Sequence, residues 1–246
     1  MIKKILVSQP RPATEKSPYF DMEREYGVQV DFRQLIKVEG LSPKEFRAQH
    51  INLLDYTAIL FSSRGSIDHF FHLAEELRVN IPEGMHYYCI SEQVGVYLQK
   101  YIQYRKRRVF FGENNKFDDV VPAMLRRPQE KYLMICSDVH NDAVVNMFAS
   151  HGIKVDTAVM YRTVPQEIPA EELQSYDIVV LFTPTGVQAL KQNCPDYLSD
   201  GRAIACFGAA TKKAIEELGW EAAIAAPTPE CTSITTALDK YLKAHK

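Results

Sequence analysis

Four short segments place small hydroxyl residues or glycine where an apolar run gives way to a helical pattern: Ser62–Ser63–Arg64–Gly65–Ser66, Ser91–Glu92–Gln93, Thr183–Pro184–Thr185–Gly186 and Gly208–Ala209–Ala210–Thr211. At such a turn the first helical amides have no intrahelical acceptor, and a Ser or Thr hydroxyl caps one of them. The remaining amides and the positive end of the helix dipole suit a carboxylate or phosphate. A single turn of this kind needs no explanation beyond N-capping. Four of them, in two related pairs, point to a cleft that receives several anionic groups.

Other chemistry has weaker support. The sequence contains no GxxxxGK[ST] loop, GxGxxG fingerprint, GxSxG elbow or HExxH helix. His69 and His72 stand three apart beside Asp68, a spacing able to hold a metal, but Phe70, Phe71 and Leu73 fill the rest of that stretch, so a packed helix is the better reading. The basic run Tyr104–Arg105–Lys106–Arg107–Arg108 reads as a solvated helix end, where cations complement the dipole, in preference to an RNA or membrane contact. No metal and no cofactor are expected.

These residues need a scaffold, and composition says which kinds are open. The chain has 246 residues, 46% hydrophobic and 24% charged, the balance of a globular protein with a filled core. That excludes disorder, collagen and coiled coil. Lys+Arg 29 against Asp+Glu 31 gives a formal charge of −2, so no global basic field exists to hold nucleic acid or an anionic membrane. The five cysteines are odd in number, widely spaced and without a CxxC pair, and the apolar run Ile5–Val7 is too short for a signal peptide or membrane span. A cytoplasmic protein with reduced thiols is expected.

The order of elements in residues 1–125 recurs in 131–246. KKILVSQP (3–10) answers to KYLMICSD (131–138), and YGVQVDFRQLIKVEG (26–40) to HGIKVDTAVMYRTVP (151–165). LLDYTAILFSSRGSIDHFF (53–71) answers to LQSYDIVVLFTPTGVQAL (173–190), and YYCISEQVGVYLQKY (87–101) to AIACFGAATKKAIEEL (203–218). Each unit is an apolar, β-branched run, a turn and a helical pattern, which predicts parallel α/β sheets with helices on both faces. The stretches 28–38 and 154–164 are longer, more polar and extended; they read as linker strands, with ordinary edge strands as the alternative.

Taken together, these motifs resemble the uroporphyrinogen-III synthase family over essentially the whole chain: ILVSQP, the paired DYTAILFSSRGSID and DIVVLFTPTGVQAL, the turns CISEQVGVYL and ACFGAATKKAI, the tyrosine-bearing GIKVDTAVMYRTV, and APTPECTSITTAL. The resemblance implies two similar parallel-sheet α/β domains joined by a two-stranded antiparallel linker. The first domain would be discontinuous, 1–34 plus 166–246, the second would be 39–158, and 28–38 and 156–165 would form the linker. It further implies a monomer that closes hydroxymethylbilane to uroporphyrinogen III, losing water and inverting the fourth ring through a spiro-pyrrolenine.

On that resemblance Tyr161 is the candidate hydrogen-bond or proton donor to the leaving oxygen, with an unperturbed pKa of about 10 that keeps it protonated at neutral pH. The expected substrate-binding residues are Ser63, Arg64, Ser91, Gln93, Thr183, Thr185, Gly186, Gly208 and Thr211. The chain departs from the family pattern in three places. Ser8–Gln9–Pro10 precedes Arg11 where a Thr-Arg-Pro-like turn is usual, Ser91 and Val94–Gly95 replace Gly and Thr-Ala, and Pro184 removes one amide. A two-domain binding module for a polyanion, without chemistry, is the alternative function.

Overall fold

The computed structural model describes residues 2–14, 16–139 and 142–245. Met1, Glu15, His140, Asn141 and Lys246, which fall within the expected domain ranges, lie outside the described residues.

The chain divides into two compact units, Met1–Lys37 with Val164–Lys246, and Val38–Thr163. In the first unit the strands are β1 (Lys4–Val7), β2 (Gln29–Phe32), β9 (Ile178–Leu181), β10 (Ala203–Phe207) and β11 (Ile224–Ala226), in the order β11-β10-β9-β1-β2, every neighbouring pair parallel. Its helices include α1 (Pro18–Tyr26), α8 (Pro184–Asn193), α9 (Ala209–Glu217) and α10 (Ile234–Ala244). Alternate residues of one strand serve opposite faces of the sheet: Ile178 and Val180 join Ile5, Val7 and Leu238 on one, while Val179 and Leu181 join Leu6, Leu190 and Ile215 on the other. Burial on both faces is why these strands carry no polar alternation.

The second sheet has the order β3-β8-β7-β4-β5-β6, from β3 (Ile36–Gly40), β4 (Ala58–Phe61), β5 (His86–Cys89), β6 (Val109–Phe111), β7 (Tyr132–Ser137) and β8 (Val155–Pro165). Its helices include α2 (Pro43–Arg47), α3 (Arg64–Glu76) and α4 (Glu92–Tyr97). Ile59 and Phe61 pack with Phe70 and Leu133 on one face, and Ala58 and Leu60 with Tyr88, Met134 and Phe148 on the other. The internal repeat is visible in the two orders. Exchanging β1, β2, β9 and β10 for β7, β8, β4 and β5 turns one sheet into the other, with β11 matching β6.

The extended segments differ from their expected form. Residues 28–38 are not one strand: β2 is the parallel edge strand of the first sheet, and the chain breaks at 33–35 before β3. Leu35, fully buried with Ile168 and Leu173, turns the backbone inward there. Likewise the first part of β8 pairs in parallel with β7, from Val155 opposite Tyr132 to Val159 opposite Cys136. The chain changes units at 37/38 and 163/164.

Candidate active site

Tyr161 is aimed by an irregularity in β8. Cys136 pairs with Val159 but Ser137 pairs with Tyr161, so β8 carries one extra residue, Met160. A bulge of this kind breaks the alternation of faces and redirects a side chain. Ala158, Met160 and Tyr161 accordingly all pack against the same core, which strict alternation forbids. The following residue fixes the strand. Arg162 donates through Nε and Nη2 to Glu39 Oε1 on β3 at 3.0 and 2.9 Å, and through Nη1 to Glu45 Oε1 on α2 at 2.7 Å. Glu45 is held in turn by Ser42, whose amide and hydroxyl both donate to it at 2.9 and 2.6 Å. These bonds from Ser42, together with Arg162, lower the Glu45 pKa to about 2.

The Tyr161 ring stacks on the imidazole of His69, centroids 5.0 Å apart and planes 18° from parallel. Gly40 flanks the stack, where a β-carbon would come within 3.1 Å of His69 Nδ1. Burial lowers the His69 pKa below 6.5, so its imidazole is neutral at pH 7. The Tyr161 hydroxyl meets the side chains of Ser62 and Ser63. Burial raises its pKa above 10, and hydrogen bonding with the two serines opposes that without reversing it. It is therefore a protonated donor at neutral pH.

Ser63 caps α3 through a reciprocal pair: its Oγ accepts from the Ser66 amide at 3.0 Å and its amide donates to Ser66 Oγ at 3.2 Å. The helix leaves the amides of Arg64 and Gly65 without an intrahelical acceptor. Arg64 is exposed, with its guanidinium 5.5 Å from the centre of the Tyr97 ring. The neighbouring β5 leads to Ser91, which caps α4 without a side-chain bond. Ser91 and Gln93 line a polar cavity of about 480 Å³ with Phe111 and Gly112. One unit thus gathers Tyr161, Ser63, Arg64, Ser91 and Gln93 at the carboxyl ends of β4 and β5 and along β8.

The other unit gathers the second pair of turns at the carboxyl ends of adjacent strands β9 and β10. Thr183 Oγ1 accepts from the Gly186 amide at 3.0 Å, which leaves the Thr185 amide without an acceptor in the helix. Gly208, at φ 93°, donates its own amide to Ala226 O at 2.7 Å, and the exposed residues Ala209 and Ala210 that start α9 have amides without an intrahelical acceptor. Gly186 is buried with its amide used by the cap, the Gly208 amide is likewise taken, and Thr211 is 2% exposed, so these residues shape the turns from within. Arg11 lies over Phe20 and Phe32, 4.9 and 6.0 Å from their centroids, against α1 and the end of β2.

The chain matches the uroporphyrinogen-III synthase HemD family over residues 21–236. It belongs to the uroporphyrinogen-III synthase family. Among curated relatives, the uroporphyrinogen-III synthase of Saccharomyces cerevisiae is 26% identical over 148 residues, 52% of this chain and 52% of that protein, so the chain spans about half the length of this relative. The crystal structure of uroporphyrinogen-III synthetase from Helicobacter pylori is 16% identical and covers 99% of this chain and 100% of its own, with a TM-score of 0.54, a likeness of fold.

Within that family frame, two features escaped the sequence reading. His69 was visible only as half of a metal-like spacing with His72; its partner Tyr161 lies on a distant strand, and no local signal links them. Ser62 was visible in the turn but indistinguishable from its neighbour. Asp68, the third member of the suspected metal group, accepts from Tyr97, Lys100 and Tyr101 instead. The basic run does not end a helix: α4 stops at Tyr97, and Lys106–Arg108 form a separate 3-10 turn that leads into β6. Among the described residues, no helix is long and apolar enough to cross a membrane.

Proposed function

We propose that this protein is a uroporphyrinogen-III synthase of tetrapyrrole and haem biosynthesis, a cofactor-independent cyclising lyase acting on hydroxymethylbilane. The observation that carries the reading is a protonated Tyr161 hydroxyl near the Ser62 and Ser63 side chains of the turn that starts α3, in a chain of this family. Tyr161 donates its proton to the departing hydroxyl of the bilane, so that the carbon–oxygen bond breaks, water leaves and an azafulvenium cation remains beside the tyrosinate, which regains its proton when the ring closure releases one. The substituted carbon of the last ring attacks that electrophile to give a spiro-pyrrolenine, and fragmentation and reclosure invert the ring.

Most of the bond-making is intrinsic to the pyrroles, since closure without an enzyme gives the uninverted isomer. The protein's task is to fold the substrate so that the substituted carbon attacks. Its eight carboxylates suit amide and helix-dipole recognition, which lets a chain of net charge −2 bind a polyanion. Ser63, Arg64, Ser91 and Gln93 supply one set of contacts, and Thr183 and Thr185 the other, with Gly186, Gly208 and Thr211 holding the second pair of turns in shape. The chain acts as a cytoplasmic monomer without a nucleic-acid partner. The opposed hydrogen bonds Leu41 N to Met160 O and Gln166 N to Leu35 O, each 2.8 Å, support a two-stranded antiparallel linker made by β3 and the later part of β8.

The test is to incubate the purified protein with freshly generated hydroxymethylbilane, oxidise the products and separate the uroporphyrin isomers. Predominance of isomer III over a no-enzyme control is the expected result. Isomer I alone would reject the activity.

A further inference from the structure

At the amino-terminal ends of β5 and β6, opposite the ends that carry Ser63 and Ser91, the second unit has a separate cavity of about 220 Å³. Met85, Tyr87, Tyr101 and Ile102 form its apolar walls, and Arg105 and Arg108 stand among them. Tyr87 is 3% exposed as a residue and lines this cavity; among the described residues its hydroxyl makes no hydrogen bond and, unlike that of Tyr88, is not sealed from solvent, so it is open to a guest in the cavity. Arg108 is half-buried and, among the described residues, forms no ion pair. Arg105 is already engaged, 3.4 Å from Glu83 and 3.1 Å from Gln103 Oε1, so Arg108 is the uncompensated cation.

We propose that this cavity is a second small-molecule site, distinct from the tetrapyrrole site, which takes a small aromatic carboxylate. The ring lies against Tyr87, Tyr101 and Met85, and the carboxylate accepts from the Arg108 guanidinium and the Tyr87 hydroxyl. Arginine is suited to this because its planar fork matches a carboxylate. The volume sets the size of the ligand, since sites for drug-sized molecules run from about 300 to 1,000 Å³. A single ring with a short acidic side chain fits; a tetrapyrrole does not.

The experiment uses the full chain, labelled at Met and Ile methyl groups, titrated with 3-phenylpropionate and separately with neutral 3-phenylpropanol. Saturable shifts of the Met85 and Ile102 methyls with the acid, weakened about tenfold in Arg108→Gln and in the neutral alcohol, are expected. Tyr87→Phe weakens binding as well, and Arg108→Gln leaves the isomer III activity unchanged. Absence of saturable shifts at these methyls up to about 10 mM acid overturns the proposal, as does binding indifferent to both Arg108→Gln and loss of the carboxylate. If Arg108→Gln fails to fold, the comparison of acid with alcohol on the unaltered protein decides the matter.

Discussion

The Tyr161 ring lies nearly parallel to the His69 imidazole, 5.0 Å from it, while its hydroxyl meets Ser62 and Ser63. One ring face is thus held by α3 and the hydroxyl by the turn that starts the same helix. Arg162, bound to Glu39 and Glu45, fixes the strand on the next residue. A donor located from several directions loses little entropy on reaction, which is how positioning becomes rate.

His69 stacks on Tyr161, so with Tyr161 as the proposed donor His69→Ala should lower kcat with KM nearly unchanged, by about tenfold, the order of one stacking contact. His69→Phe, which restores a stacked ring, should recover most of it. Steady-state kinetics on both variants provides the check; equal losses in the two would remove stacking as the cause.

The neutral state of His69 also shapes the pH dependence of stability. Its folded pKa is lowered from 6.5 by burial, so below pH 6.5 the unfolded chain binds more protons than the folded one and stability falls with acidity. His86, whose pKa burial also lowers against the opposing pull of Glu130, acts in the same direction. Urea unfolding between pH 7.5 and pH 5.5, roughly one unit either side of the free histidine value, should show a declining midpoint. The decline should be smaller in His69→Gln, and an equal decline in the two proteins would contradict the lowered pKa.

Ser63→Ala removes the cap that joins Ser63 to Ser66 and should cost about 0.5–2 kcal/mol of stability. Because Ser63 also faces Tyr161, turnover should fall further than stability alone explains. Chemical unfolding and turnover at a temperature where both proteins stay folded separate the two effects.

Gly112→Ala should destabilise the second unit by about 1–3 kcal/mol or more. A β-carbon there would stand 2.5 Å from Lys116 O and 2.8 Å from Ile90 O, both main-chain atoms that cannot swing aside. Gly84→Ala, where a β-carbon meets nothing within 4 Å, is the matched control. A thermal melt of each variant reads the difference.

The strands were legible because each is an apolar run covered on both faces, as at Ala58–Phe61 and Ile178–Leu181. The repeat was legible as order, and the order of the sheets repeats with it. The break at 33–35 was not, since it depends on Leu35 finding a core built from residues far along the chain. The same limit applies at the site. Ser63 and Thr183 show as caps in local spacing, whereas the bulge that turns Tyr161 toward Ser63 exists only once β7 and β8 pair, and the burial of Thr211 depends on how α9 packs.

The most direct test of the account is the turnover of Tyr161→Phe with hydroxymethylbilane, with isomer analysis of the product. The lost proton donor predicts a rate about 10²–10⁴-fold lower in a protein of unchanged fold, with isomer III still formed by what catalysis remains. A rate close to that of the unaltered protein would contradict the assignment of Tyr161 as donor to the leaving oxygen.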